Sequence, residues 1–425
     1  IMFPRTLANR ILSRFSSHEI VFLLGTRQTG KTTLSHLLAE SSSYSENVVR
    51  FFDFEDKQFR QLFNTATLAS LKQILRLEGI NADQSYLLVF DEIQLLDDPS
   101  NLLKLLHDHF PNLKIIATGS SSLQIKTKFS DSLAGRKHVY LIEPLNFDEF
   151  LVFRGEDRLA KLREMNRERL PIEALHPIVA AGHDHFLSLF EEYLIFGGYP
   201  EVVLIEEKQE KLQKLESIAG SYIQKDIREV ANIENITAYN NLLKYLAINA
   251  GAQFNLSSAR ETIGISANTL SKYLNLLEET FIIQELPPFF TNRNKEISKS
   301  KKFYFKDSGL NNFFLQNFNP LDLRRDAGTL YETYVFNTML QERNVVSSLY
   351  FYRTQSKSEI DFVRVQNDKY HLLEVKSGKY RKLPRAMVEF EKKYKGQLSI
   401  ASKQIINQSV YLEKDSTIIL PAYLL

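Results

Sequence analysis

EIVFLLGTRQTGKTTLSHLLAE, residues 19–40, decides the first part of the fold. The apolar run Ile20 to Leu24 reads as a buried strand, Gly25-x-x-x-x-Gly30-Lys31-Thr32 as a tight loop, and Leu34, Leu37 and Leu38 as the face of a helix. That order makes a phosphate cradle. Gly25 and Gly30 permit a turn in which Thr26, Arg27, Gln28 and Thr29 aim backbone N–H groups at phosphate oxygens, and the helix N-terminus adds favourable potential. Lys31 is placed to reach the β- and γ-phosphates and Thr32 to offer its hydroxyl oxygen to Mg²⁺, with Thr33 packing behind or sharing that shell. The expected ligands are ATP and Mg²⁺.

A second strand follows in YLLVFDEIQLL, residues 86–96, continuously apolar from Tyr86 to Phe90, as a central parallel strand covered on both faces should be. Asp91 and Glu92 end it. There Asp91 would stand beside the metal and Glu92 would polarise the attacking water; an acidic pair could also merely cap the next helix. LKIIATGSSSL, residues 113–123, is a third buried strand, with Ser120 or Ser121 placed to sense the γ-phosphate. In LAGRKHVYLIEPL, residues 133–145, Arg136 either acts in trans as an arginine finger of a ring or dimer, or forms an ordinary ion pair.

These motifs in this order (GTRQTGKTT, VFDEIQ, TGSSS, LAGR, EPLNFDEF) resemble the AAA+-type P-loop ATPases of bacteria and archaea whose loop reads G-x-R-Q-x-G-K-T. The resemblance covers most of residues 1–200. It implies a five-stranded parallel sheet in the order 5-1-4-3-2, with VVRFFDFED, residues 48–56, as the second strand. It also implies a helical lid over residues 156–236, after an ATPase core of residues 1–155. Gly197 to Pro200, Gly-Gly-Tyr-Pro, resembles the element that sets a proline near the adenine in related signal-transducing ATPases, which makes Pro200 a nucleotide-binding candidate; a plain helix-ending turn reads equally well.

Residues 237–298 follow the punctuation of a winged helix. In NLSSARETIGI Ser258 and Glu261 have capping-box spacing, a turn falls at Gly264, and Leu270, Tyr273, Leu274 and Leu277 share one helical face. Asn268, Lys272 and Asn275 face outward, with too little charge for a strong phosphate reader, so coupling or protein binding is the preferred role for this segment.

EIDFVRVQNDKYHLLEVKSGK, residues 359–379, puts ionisable residues inside two apolar runs. If Asn367 and Asp368 form a two-residue hairpin turn, Asp361 lies opposite Glu374, and Lys376 shares the face of Glu374. Opposed carboxylates on a half-buried sheet need a cation. The spacing Asp-x12-Glu-x-Lys resembles the PD-(D/E)xK nuclease fold, although Ile360 stands where its proline is expected. The resemblance implies an α/β restriction-endonuclease-like domain over residues 299–425. In it Asp361 and Glu374 would hold Mg²⁺ or Mn²⁺, Lys376 would activate water, and Glu332 would be the additional helix acid. The alternative is that Lys376 simply neutralises two structural acids.

Composition narrows the partners. There is no cysteine, which excludes disulfides, thiol nucleophiles and cysteine-based zinc sites. Residues 281–425 carry 23 of the 53 basic and 15 of the 51 acidic side chains, so the basic excess is C-terminal, beside the string Lys376, Lys379, Arg381, Lys382 and Arg385. This favours nucleic acid, DNA first, as the partner. No apolar run nears the roughly 20 residues of a membrane span and the N-terminus lacks a signal-peptide core, so a cytoplasmic protein away from membranes is expected, able to form a homo-oligomer. The expected function is ATP binding and hydrolysis coupled to a metal-dependent, DNA-binding, nuclease-like C-terminal domain. The alternatives are a nucleotide-controlled switch whose terminal domain binds without cutting, and an ATP-driven DNA translocase.

Overall fold

The computed structural model describes residues 5–65, 67–119, 133–167, 172–222, 235–291, 299–342, 346–354, 356–378, 383–408, 412–414 and 417–425. Ser120, Ser121, Lys379, Arg381 and Lys382 lie outside the described residues. The chain divides into two compact units: Ile1–Pro144, Gly220–Glu234 and Glu279–Phe281 form one, and Leu145–Ala219, Asn235–Glu278 and Ile282–Leu425 the other. Among the described residues no helix is long and apolar enough to cross a membrane.

The first unit holds five parallel strands, β1 (Ile20–Gly25), β2 (Val49–Asp53), β3 (Tyr86–Asp91), β4 (Leu113–Gly119) and β5 (Lys137–Ile142), in the order β2-β3-β4-β1-β5. This is the order that the resemblance to AAA+-type ATPases implied. Each central strand feeds two cores: Ile20, Phe22, Leu88 and Phe90 pack on one side of the sheet, and Val21, Leu23, Leu87 and Val89 on the other. Alternation with both faces covered is why Ile20 to Leu24 of β1 and Leu87 to Phe90 of β3 carry no polar residue. On the first side, the rings of Phe52, Phe54, Phe63 and Phe90 stack or meet edge to face at 5.2–5.8 Å.

In the second unit, helices Ile236–Ile248, Leu256–Ile263 and Ala267–Glu279 precede an antiparallel pair, β6 (Ile283–Leu286) and β7 (Lys302–Phe305). Leu270, Tyr273, Leu274 and Leu277 are buried, and Asn268, Lys272 and Asn275 exposed, as the helical period predicts. The cap differs from expectation. Asn255, not Ser258, caps the middle helix, its side chain accepting from the Ser258 N–H at 3.0 Å. An Asn three residues earlier satisfies the same free N–H groups, so the helix starts there and Ser258 becomes its third residue.

A mixed sheet follows: β8 (Ser347–Arg353), β9 (Glu359–Gln366), β10 (Lys369–Val375), β11 (Ser399–Asn407), β12 (Leu412–Lys414) and β13 (Thr417–Pro421), in the order β12-β13-β11-β10-β9-β8. Helix Ala327–Gln341 packs with Phe351, Phe362, Leu373 and Ile406, while helix Arg385–Lys393 packs with Ile360, Val363 and Leu372. Asn367 and Asp368 both take positive φ (50° and 59°), the left-handed turn that a two-residue hairpin needs.

One packed element connects distant sequence. Asp307 caps helix Ser308–Leu315 through the Leu310 N–H at 2.9 Å and also accepts from the Gly198 N–H at 2.7 Å. Gly197 has φ 78°, and a Cβ there would stand 2.2 Å from Asp307 Oδ1. The Gly-Gly-Tyr-Pro run is thus sealed against a buried carboxylate. Burial raises Asp307 to about 6, against the opposing pull of the backbone N–H groups. An acid that holds its proton more tightly folded than unfolded contributes most below the unfolded value near 3.9 and loses that contribution as pH rises through about 6. Between about pH 4 and pH 7, wild type should therefore lose up to about 3 kcal/mol of stability relative to Asp307→Asn. Denaturant titrations across that range test this; parallel pH profiles would show that Asp307 does not titrate as described.

Candidate functional site

At the C-terminal edge of the parallel sheet, Gly30 (φ 86°) caps helix Lys31–Ser41, and Thr29 Oγ1 donates to the Thr26 carbonyl at 2.9 Å, closing the loop. A Cβ on Gly25 would lie 2.1 Å from the Ile142 carbonyl oxygen, so the strand end admits only glycine. Lys31 is buried and donates to the carbonyls of Gly25 (3.1 Å) and Thr26 (2.8 Å), which holds its ammonium inside the loop. Thr32 and Thr33 are exposed, with Arg27 and Gln28 half-buried at the loop crest.

The β3 acids connect to this loop. Thr32 Oγ1 donates to Asp91 Oδ2 at 2.7 Å, and Thr118, at the end of β4, donates to the other Asp91 oxygen. Two oxygen donors this close suit a hard cation such as Mg²⁺. Glu92 has left-handed backbone (φ 52°), its N–H donates to Thr118 Oγ1 at 3.1 Å, and Gln94 Nε2 donates to its carboxylate. Two contributors were not legible in the motifs. Arg5 bridges the Thr29 carbonyl (2.9 Å) to that of Glu143 (2.8 Å), tying the loop to the end of β5, and Thr118 links both acids. Arg136 forks onto Asp108 at 2.7 and 3.1 Å, and its guanidinium holds that carboxyl well below the usual range. Pro200 stands in the second unit at the first position of helix Pro200–Leu204.

The second unit carries the acid–lysine centre. The β9–β10 register runs as the hairpin predicts, through Phe362 opposite Leu373. Strict alternation then fails. Between Ile360 and Val363, β9 spends three steps against two of β8, a bulge that places Ile360 and Val363 in one core and Phe362 in the other. The expected square opposition of Asp361 to Glu374 is thereby corrected: Asp361 Oδ2 turns to accept the Val375 N–H at 2.8 Å. Asp361 and Glu374 are both buried, Lys376 pairs with Glu374 Oε1 at 2.5 Å, and Glu374 Oε2 has no hydrogen-bond partner among the described residues.

Glu332, on helix Ala327–Gln341, accepts from the Tyr304 hydroxyl at 3.2 Å and stands 4.0 Å from the Lys302 ammonium. Burial pushes Glu332, Asp361 and Glu374 upward. The charge of Asp361 adds to the rise at Glu332 and Glu374, while Lys302 and Lys376 draw Asp361 back. Glu359 and Lys302, which pair with each other, went unnoticed as site residues. Among the described residues no three acidic or histidine side chains gather closely enough to hold a metal ion. The centre as it stands is balanced by lysines and does not fit a divalent ion.

A parallel sheet of this order, with a phosphate loop after β1 and acids after β3, defines a P-loop ATPase fold of the AAA type. Residues 17–151 match the AAA domain family. Residues 187–321 and 327–425 match two domains of unknown function, DUF8612 and DUF4143. The chain is similar to an uncharacterized protein of Methanocaldococcus jannaschii, 26% identical over 351 residues, which are 81% of this chain and 72% of the relative. An uncharacterized protein of Haemophilus influenzae is 24% identical over 70% of each chain. Among solved structures, the Walker-type ATPase of Pyrococcus abyssi aligns with 74% of this chain and 96% of its own at 16% identity, with a TM-score of 0.45.

Proposed function

We propose that the chain is an ATP-hydrolysing AAA-type protein whose nucleotide state governs a nucleic-acid-binding, nuclease-like C-terminal domain. The observation that carries it is the Thr32–Asp91 contact beside the closed phosphate loop. In this reading Thr26 to Thr33 cradle the phosphates, and Lys31 leaves its loop carbonyls for the β- and γ-phosphates. Thr32 and Asp91 would hold Mg²⁺, which when bound would supply charge neutralisation at those phosphates. Glu92 orients the attacking water and Ser120 senses the γ-phosphate. Arg136 completes a neighbouring protomer's site once Asp108 releases it.

The terminal domain has the acid–acid–lysine order of a nuclease, and DNA is the partner its basic surplus favours. A second reading, in which this domain binds without cutting, draws on a specific observation: lysines already neutralise the acids. The test is cleavage of labelled single-stranded, duplex and branched DNA with Mg²⁺ or Mn²⁺, with and without ATP, in wild type, Asp361→Ala and Lys31→Ala. Lys31→Ala should lose ATP turnover by about 10²-fold or more. Cutting that disappears in Asp361→Ala supports the nuclease; DNA binding and ATP turnover without cutting support the second reading. Wild type without ATP turnover overturns both.

A further inference from the structure

Lys302 is 2% exposed, yet it comes from the β6–β7 ladder rather than from the sheet that carries the acids. Its backbone is fastened on both sides: β7 pairs with β6, and on the other edge the Gly251 N–H donates to the Phe303 carbonyl (3.0 Å) and the Phe254 N–H to that of Lys301 (2.7 Å). The side chain is thus delivered to one place. Its ammonium pairs with Glu359 Oε1, stands 4.0 Å from Glu332 Oε2, and lies 5.3 Å from the centre of the Phe351 ring.

The neighbouring wall is shaped to match. Tyr304, two residues on, is fully buried, stacks on Phe336 at 4.5 Å and bonds Glu332. Gly251 (φ 71°) leaves room where a Cβ would come within 3.0 Å of both Glu332 Oε2 and the Tyr304 ring. A buried ammonium must be paired, and buried carboxylates need positive charge; each condition meets the other here. Lys302 and the acids it meets stand on separate elements far apart in sequence, so the match is a product of the fold.

We propose that Lys302 is the resident cation of the C-terminal acid centre, its ammonium filling from the preceding hairpin the place a divalent ion would take, so that the centre excludes Mg²⁺ and Mn²⁺ while Lys302 is seated. The proposal rests on the nuclease-like reading of this domain. It explains why a centre with four carboxylates, Glu332, Glu359, Asp361 and Glu374, offers no metal cage.

The test is Mn²⁺ binding to the full chain without nucleotide, followed by the electron paramagnetic resonance of free Mn²⁺. Each protein is compared with its Asp361→Asn counterpart, which removes the phosphate-loop site from the difference. Lys302→Met should gain Asp361-dependent Mn²⁺ binding at least about tenfold tighter than wild type. Lys302→Met/Glu359→Gln, which deletes one acid with the lysine and so keeps the charge balance, serves if the single variant does not fold, and should show the same gain. Equal, Asp361-dependent binding in wild type and both variants overturns the proposal while leaving the metal-dependent reading standing. No Asp361-dependent binding in any of them overturns the proposal and the metal-dependent reading together.

Discussion

Glu92→Gln is expected to lower ATP turnover by about 10²- to 10⁴-fold while changing nucleotide affinity by only a few-fold. The substitution preserves shape: the carbonyl oxygen of the introduced amide can still accept from Gln94, and the backbone N–H at this position still reaches Thr118. What is lost is the negative charge that would draw a proton from water. Thr32, Asp91 and Lys31, which meet the phosphates and the metal in the proposed site, are untouched. Single-turnover phosphate release separates the two quantities when read beside binding of a fluorescent nucleotide. Unchanged release would move the general base to another residue, and lost binding would mean that the β3 terminus, with its left-handed Glu92, had collapsed.

The second large effect is on stability. Arg163 is 1% exposed and joins three stretches of the second unit, bonding Asp148 Oδ1 at 2.5 Å, the Tyr334 hydroxyl at 3.2 Å and the Leu425 carbonyl at 2.8 Å, with its guanidinium over the Phe147 ring at 4.9 Å. Arg163→Ala strips the guanidinium from a mostly buried carboxylate and opens a space beside Phe147. Removing one member of a buried pair costs about 3–5 kcal/mol, far more than the pair itself contributes relative to apolar replacements. The double variant Arg163→Met/Asp148→Asn should accordingly recover part of the loss. Thermal melts of the three proteins check this, and a single variant that melts with wild type would show that solvent, not burial, governs Asp148.

Much of the first unit was legible because its signals are local. The continuous apolar runs of β1, β3 and β4 specify strands covered on both faces, and the glycines of the phosphate loop stand where the backbone needs them. The hairpin at Asn367 and Asp368 was equally local, since two residues that tolerate positive φ set the register of both flanking strands. The helix cap at Asn255 was missed for a related reason: Ser258 satisfies the same pattern, and only the path by which the chain enters the helix chooses between them.

The candidate sites divide along the same line. By itself the sequence determined the phosphate loop, the acids after β3 and the hairpin that carries Asp361, Glu374 and Lys376, because each follows from spacing along one element or one turn, while Glu332 was named only through the resemblance to a nuclease fold. Only the tertiary structure decided that Arg5 ties the loop to β5, that Thr118 links Asp91 to Glu92, that a bulge turns Asp361 toward Val375, and that Lys302 is seated among the acids. Those partners are distant in sequence or depend on pairing between strands, and whether a buried charge is balanced by a metal or a lysine is settled by what else the fold buries beside it.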